Sequence, residues 1–291
     1  MWAWEKEKSL EEKELSPQEK WEKATIADNF LFCKIMESEP DLCKELIEML
    51  LHIKIAKLEI PQSEKTMKET FGSRGVRFDV YTQGDNKIFD IELQTANEGD
   101  LPKRARYYQG VIDVDNLPEG VDHKKLKDSY VIFLCLFDLF KQEMPVYTFE
   151  NVCIENNMVK LNDRAYKVFF NAKNCDKLKN DEEKSFFKFL QGESAKSNFT
   201  KNLSEKVARA KQNIQWRTMY MTWEQSIAYE GQKRAEKLAP KLAEKLAEEL
   251  AKNKQFENAK NLLKMNVLSV EQISEALGLS LEDVNKIKQE I

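Results

Sequence analysis

The chain has 291 residues, 33% of them charged, yet 46 Lys and Arg against 50 Asp and Glu leave a net charge of only -4. That length favours one substantial core with an appendage, and the near balance of charge selects no partner class, so any nucleic-acid surface must be local. Five widely spaced cysteines (Cys33, Cys43, Cys135, Cys153, Cys175) without a Cys-x-x-Cys pair read as reduced thiols in a cytoplasmic setting, and a charged N-terminus with no apolar run long enough for a bilayer argues against export or membrane insertion.

Residues 1 to about 20 are charged, contain Pro17 and read as a mobile or weakly helical leader. From 24 to 51, Ile26, Phe30, Phe32, Ile35 and Met36, then Leu42, Leu46, Ile47 and Leu50, recur at helical spacing; Glu39-Pro40-Asp41 divides them into two helices. Ile53, Ile55, Leu58 and Ile60 predict a strand ending at Pro61, followed by a polar stretch. Two alternating segments come next, 77–81 and 88–94, joined by Gly84-Asp85-Asn86. Successive side chains of a strand oppose one another, so Phe89, Ile91 and Leu93 take one face and Asp90, Glu92 and Gln94 the other, as Phe78 and Val80 oppose Asp79 and Tyr81. A hairpin closing around Asp85-Asn86 sets Asp79 against Glu92. Opposed Cβ atoms lie roughly 4.5–5.5 Å apart, a distance at which two carboxylates repel unless a cation lies between them, and a divalent ion meets that need. The bland alternative is a solvated polar hairpin face.

After a loop, residues 101 to about 115 read as a helix and 130–137, apolar on both faces, as a central strand covered on both sides. Segments 147–154 and 166–170 suggest further strands, and 182–190 and 203 to about 229 further helices. From 232 to 254 complexity falls: Leu238, Leu242, Leu246 and Leu250 form one stripe flanked by alanines, interrupted early by Pro240 and drifting around the helix, so no long regular coiled coil is expected. Ser269 and Ser280 then each open a short helix, with Gly278 between them, resembling the first part of a helix-turn-helix. The organisation expected is a leader over 1–20, a main domain over 21–229, a helical low-complexity linker over 230–264 and a small tail over 265–291.

The order helix, three strands, helix, strand matches the αβββαβ core of the PD-(D/E)XK nuclease superfamily, an α/β restriction-endonuclease-like fold, here with a helical C-terminal extension. Asp79, then Ile91-Glu92-Leu93-Gln94, then Leu101-Pro102-Lys103-Arg104-Ala105-Arg106-Tyr107-Tyr108-Gln109, then Ser129-Tyr130-Val131-Ile132-Phe133 and Pro145-Val146-Tyr147-Thr148-Phe149-Glu150-Asn151 together resemble the PD-(D/E)XK nuclease family transposases, the group that includes the recombination-promoting nucleases. The likeness runs from about residue 22 to 225, through Ala210-Lys211-Gln212-Asn213 and Trp216-Arg217.

What the resemblance implies is a DNA endonuclease in which Asp79 and Glu92 bind Mg²⁺ or Mn²⁺ and Gln94 orients the attacking water. Gln94 stands where the superfamily pattern has Lys; an amide hydrogen-bonds but brings no charge. Many superfamily members add an acid from the first core helix, and Asp28, Glu45 and Glu48 are the candidates. Lys103, Arg104 and Arg106 are expected to hold the phosphate backbone, against the alternative of a solvated basic helix face with Tyr107 and Tyr108 in the core. His52 and His123 stand alone and read as structural. Because Gln94 carries no charge, the rival readings are a nuclease scaffold kept for DNA binding or self-association through the C-terminal helices, and an RNA nuclease using the same metal chemistry.

Overall fold

The computed structural model describes residues 15–67 and 76–289. Ser16 and Glu19 close a capping box on α1 (Pro17–Lys23), whose Trp21 is buried against Phe30 and Tyr220 with ring centroids at 6.4 and 5.1 Å. Part of the expected leader is thus a packed helix; residues 1–14 lie outside the described range. Asp28 caps α2 (Asn29–Ser38), and Pro40 opens α3 (Pro40–Leu51), dividing the helices where Glu39-Pro40-Asp41 predicts.

The first strand is not where the isoleucines place it. Residues 53–60 form no strand; they cross the end of the hairpin, where the Asp85 carboxylate accepts from Ala56 and Lys57 N–H and Leu58 forms a single bridge to Gly84. Alternation failed because only Ile55 is buried there, while Ile60 is 73% exposed. Strand β1 is Gln62–Met67, inside the stretch that reads as polar. An edge strand needs few apolar residues, and Ser63 is fixed by the Lys34–Glu37 pair of α2. Residues 68–75 are not described.

Strands β2 (Val76–Gly84) and β3 (Lys87–Gln94) turn at Asp85 and Asn86, both with positive φ (49° and 60°), the geometry a two-residue hairpin demands. Helix α4 (Leu101–Asn116) crosses to β4 (Asp128–Cys135), which runs parallel to β3. Strands β5 (Val146–Phe149) and β6 (Ala165–Asn171) complete a mixed sheet of order β1-β2-β3-β4-β6-β5. The fifth strand is shorter than the 147–154 expected; beyond it, Val152 and Lys160 make an isolated bridge. Helices α5 (Asp181–Leu190) and α6 (Asn198–Gln212) follow. This is the αβββαβ order read from sequence, with helices around the sheet.

The chain divides into two compact units, one ending at Met221 and the other beginning at Thr222. Helix α7 runs from Ile214 to Met265 with Pro240 inside it. In the second unit α8 (Val270–Leu277) and α9 (Leu281–Gln289) enclose a small core of Ala259, Ile273, Leu279, Val284 and Ile287 with the end of α7. Ser269 caps α8 with Gln272 in a capping box, and Gly278 ends it at φ 64°. Leu238, Leu242, Leu246 and Leu250 are all more than half exposed. No helix among the described residues is long and apolar enough to cross a membrane.

Candidate active site

The site is built where the β2–β3 ladder gives way. Regular pairing runs from Gly84 opposite Lys87 to Val80 opposite Ile91. At the next step two side chains replace the backbone bonds: Asp79 N–H donates to Glu92 Oε1 at 2.9 Å, and Leu93 N–H donates to Asp79 Oδ2 at 3.1 Å. Each acid therefore accepts a main-chain N–H from the other strand, which holds the two carboxylates at the same end of the hairpin. Phe78 and Tyr81 should face opposite sides of a regular strand, yet their rings lie 5.6 Å apart in one cluster that also receives Tyr108 of α4; the expectation that Phe78 opposes Tyr81 is corrected accordingly.

On β3 the parallel register sets Asp90, Glu92 and Gln94 beside Val131, Phe133 and Cys135 of β4. These apolar neighbours belong to the core that Leu101, Ala105 and Ile112 of α4 cover, so the acid face is roofed by a helix. Asp90 is 0% and Glu92 2% exposed, which excludes a solvated hairpin face. Among the described residues no donor reaches either oxygen of Asp90, which faces the Glu92 carboxyl.

Burial dominates the electrostatics. It pushes the Asp79 carboxyl up, opposed by Asn29, by Leu93 N–H and by the Arg104 guanidinium. Glu92 is driven well above the ordinary carboxylate range by burial and by Asp79, and Asp90 likewise by burial, Glu92 and Asp79. Like charges crowded in low dielectric are relieved by a proton or by a metal ion.

Gln94 ends β3 and accepts at Oε1 from Arg104 Nη2. The Arg104 guanidinium stands 5.7 Å above the Phe133 ring and 6.0 Å from that of Tyr108, and its Nη1 lies 3.7 Å from Glu98. Of the three basic residues singled out by sequence, Arg104 alone sits against the acids; Lys103 and Arg106 are exposed on α4. Tyr108 packs inward, and Tyr107 is 43% exposed.

The three candidate helix acids face other groups. Asp28 caps α2 and accepts from Tyr220, Glu48 accepts from Ile55 N–H, and Glu45 is raised by burial and by Glu182 and Glu48. The helix residue that does touch Asp79 is Asn29, whose Nδ2 donates to Oδ1 at 3.1 Å while its own Oδ1 accepts from Cys33 Sγ. That thiol fixes which way the amide faces. Asn29 escaped the sequence reading although it begins the core helix directly after Asp28, and Cys33 was read only as a reduced thiol. His52 pairs with Glu183 at 3.0 Å, away from the acids, and His123 lies in a short 3-10 turn.

Among the described residues no three His, Cys, Asp or Glu side chains form a ready ligand cluster. Asp79 and Glu92 offer two hard oxygen donors, which suits a small divalent ion that keeps several waters. A cavity of about 560 Å³ lies elsewhere, floored by Tyr130, Tyr166 and Val168, which register places on the opposite sheet face from Glu92.

A mixed sheet with the β2–β3–α4–β4 crossover, carrying two buried acids and a glutamine at the broken hairpin end, defines a restriction-endonuclease-like core of the nuclease type. Residues 29–239 match the family model of the PD-(D/E)XK nuclease family transposases, and the chain belongs to that family. No curated protein matches the chain, and no solved structure does. The family is nuclease-like and related to transposition, and nucleases of this superfamily generally use divalent metals.

Proposed function

We propose that this chain is a Mg²⁺- or Mn²⁺-dependent endonuclease that hydrolyses DNA phosphodiester bonds, with Asp79, Glu92 and Gln94 as its catalytic residues. The observation that carries the reading is the pair of half-buried Asp79 and buried Glu92, crossed over one another's backbone and both raised in pKa beside the Arg104 guanidinium. Asp79 and Glu92 would hold the ion; when bound, it lowers the pKa of attacking water and neutralises charge on the phosphate. Asn29 and Leu93 N–H orient the Asp79 carboxylate, and Asp79 N–H orients that of Glu92. Because Gln94 Oε1 is taken by Arg104, its amide N–H₂ is turned to donate, and it serves to position the water. The roof of α4 limits solvent around the acids. Lys103 and Arg106, exposed on the same helix, hold the DNA backbone at its phosphates.

The second unit is proposed to serve self-association, supported by the exposed leucines of α7, which have an apolar stripe to bury. Five free cysteines favour the cytoplasm as the setting. The test is incubation of the purified chain with plasmid DNA and with RNA, each with and without Mg²⁺. Metal-dependent DNA nicking that Asp79→Asn and Glu92→Gln abolish, with folding retained, is expected. Cleavage of RNA alone would reassign the substrate, and metal-independent binding without cleavage would leave a DNA-binding scaffold, the reading that the uncharged Gln94 favours.

A further inference from the structure

The position that carries a lysine in the superfamily pattern is Gln94, and an amide cannot supply the positive charge that a pentavalent phosphate draws on. A cation nevertheless stands there. Arg104 projects from the first turn of α4, donates to Gln94 Oε1 and lies over Phe133, the register neighbour of Glu92. Its side chain is only 21% exposed, against the 71% of its partner Glu98, and its Nε is buried without an acceptor. A guanidinium has five donors in a rigid fork; Gln94 and Glu98 engage two of its nitrogens, and among the described residues the buried Nε–H meets no acceptor. Such a side chain is more costly to place than an exposed one, and a surface phosphate contact of the kind Lys103 and Arg106 provide does not require it.

We infer that Arg104 is a catalytic residue, delivering from helix α4 the positive charge that lysine delivers from the strand, with Gln94 as the bracket that holds the guanidinium in place. The inference rests on the nuclease reading above. In the hydrolysis, the water oxygen bonds to phosphorus as the bond to the leaving sugar oxygen breaks, and the proton lost by water is returned through solvent to that leaving oxygen. Arg104 supplies charge to the non-bridging oxygens and exchanges no proton. The exchange of Lys for Gln on the strand and the presence of Arg on the roof then form one compensated arrangement.

Single-turnover cleavage of a DNA duplex by the full chain and by Arg104→Met, Arg104→Lys, Gln94→Lys and the double variant Gln94→Lys/Arg104→Met tests this, with circular dichroism as the check on folding. Arg104→Met is expected to lose about 10²–10³-fold in rate, the scale of one removed transition-state donor, while DNA affinity falls less than about fivefold. Arg104→Lys keeps the charge but not the fork and should fall between. The double variant should regain at least about tenfold over Arg104→Met, because the lysine returns the charge from the strand. Mn²⁺ calorimetry gives a readout independent of turnover: removing the guanidinium should tighten Mn²⁺ binding several-fold through lost repulsion, and the lysine should reverse it. An Arg104→Met chain that cleaves within about threefold of the parent, or a folded one that Gln94→Lys fails to rescue, overturns the inference. Should Arg104→Met not fold, Arg104→Gln takes its place in the same comparisons. A parent chain that binds Mn²⁺ but cleaves nothing refutes the nuclease reading itself, and the role of Arg104 with it; a parent that cleaves while the Arg104 variants do too refutes only the latter.

Discussion

Replacing Glu92 by Gln should stabilise the metal-free protein while removing its response to metal. Glu92 is 2% exposed, and burial together with Asp79 raises its carboxyl well above the ordinary 4.5. A carboxyl whose folded pKa is raised binds its proton more firmly in the folded chain than in the open one, so stability is lost as pH rises above the unfolded value and through the folded one. A tenfold difference in proton affinity costs about 1.4 kcal/mol once both states are ionised. The amide keeps an Oε1 to accept Asp79 N–H and carries no charge, and Asp90 is relieved of a charged neighbour as well. With about 2–4 °C per kcal/mol for a unit of this size, the melting temperature at pH 8 should rise, by about 3–6 °C for each tenfold of that difference. The gain should shrink towards pH 4.5, where the parent carboxyl is protonated in the folded state. In the parent, Mg²⁺ at a hundred times its dissociation constant should add about 2.7 kcal/mol, and in Glu92→Gln little. Near-ultraviolet circular dichroism, which follows packing of the core, is the assay. An unchanged melting temperature at pH 8, or an equal rise at pH 5, would refute the electrostatic account.

Lys103→Ala combined with Arg106→Ala should weaken binding to all DNA sequences alike and reduce the slope of log affinity against log salt by about 1.8, from two lost phosphate contacts; fluorescence anisotropy across a salt series checks it, and an unchanged slope returns these residues to a solvated face. Gly84→Ala would set a Cβ 2.5 Å from the Lys57 carbonyl oxygen, where residues 57–58 cross the hairpin, and should cost about 1–3 kcal/mol in urea unfolding; a neutral effect would mean that this crossing yields freely. Changing Leu242, Leu246 and Leu250 to Ser should lower the mass found by light scattering without moving the melting of the nuclease unit, whereas identical masses would remove the stripe from any assembly.

Much of this arrangement is legible in the residues because hairpins have few degrees of freedom. Asp85-Asn86 fixes the turn, the turn fixes the register as far as Val80 opposite Ile91, and Asp79 and Glu92 are the next residues on their strands. Alternation, however, assigns faces without saying what covers them, so the burial of Asp90 could not be read from it. The same limit hid β1, whose polar edge position leaves no apolar period. Arg104 carried a signal that went unused: Leu101, Ala105, Tyr108 and Ile112 make the inward stripe of α4, and Arg104 falls within it at helical spacing whereas Lys103 and Arg106 do not. Asn29 and Cys33 had none, since nothing local shows that a helix amide turns towards a strand fifty residues on.

Every described side chain from Gln225 to Gln255 on α7 is exposed, so this stretch owes its helicity to intrinsic propensity and to local pairs such as Gln232 with Glu236. Pro240 offers no N–H to the carbonyl four residues before it, which makes that turn the weakest. Amide protons along the stretch should exchange with solvent at the pace of local fraying, decoupled from the global unfolding that governs β3 and β4. Heating should accordingly produce two superimposed processes, a gradual loss of ellipticity from the helix and a sharp transition from the sheet, and a van't Hoff enthalpy taken from far-ultraviolet ellipticity will fall short of the calorimetric one.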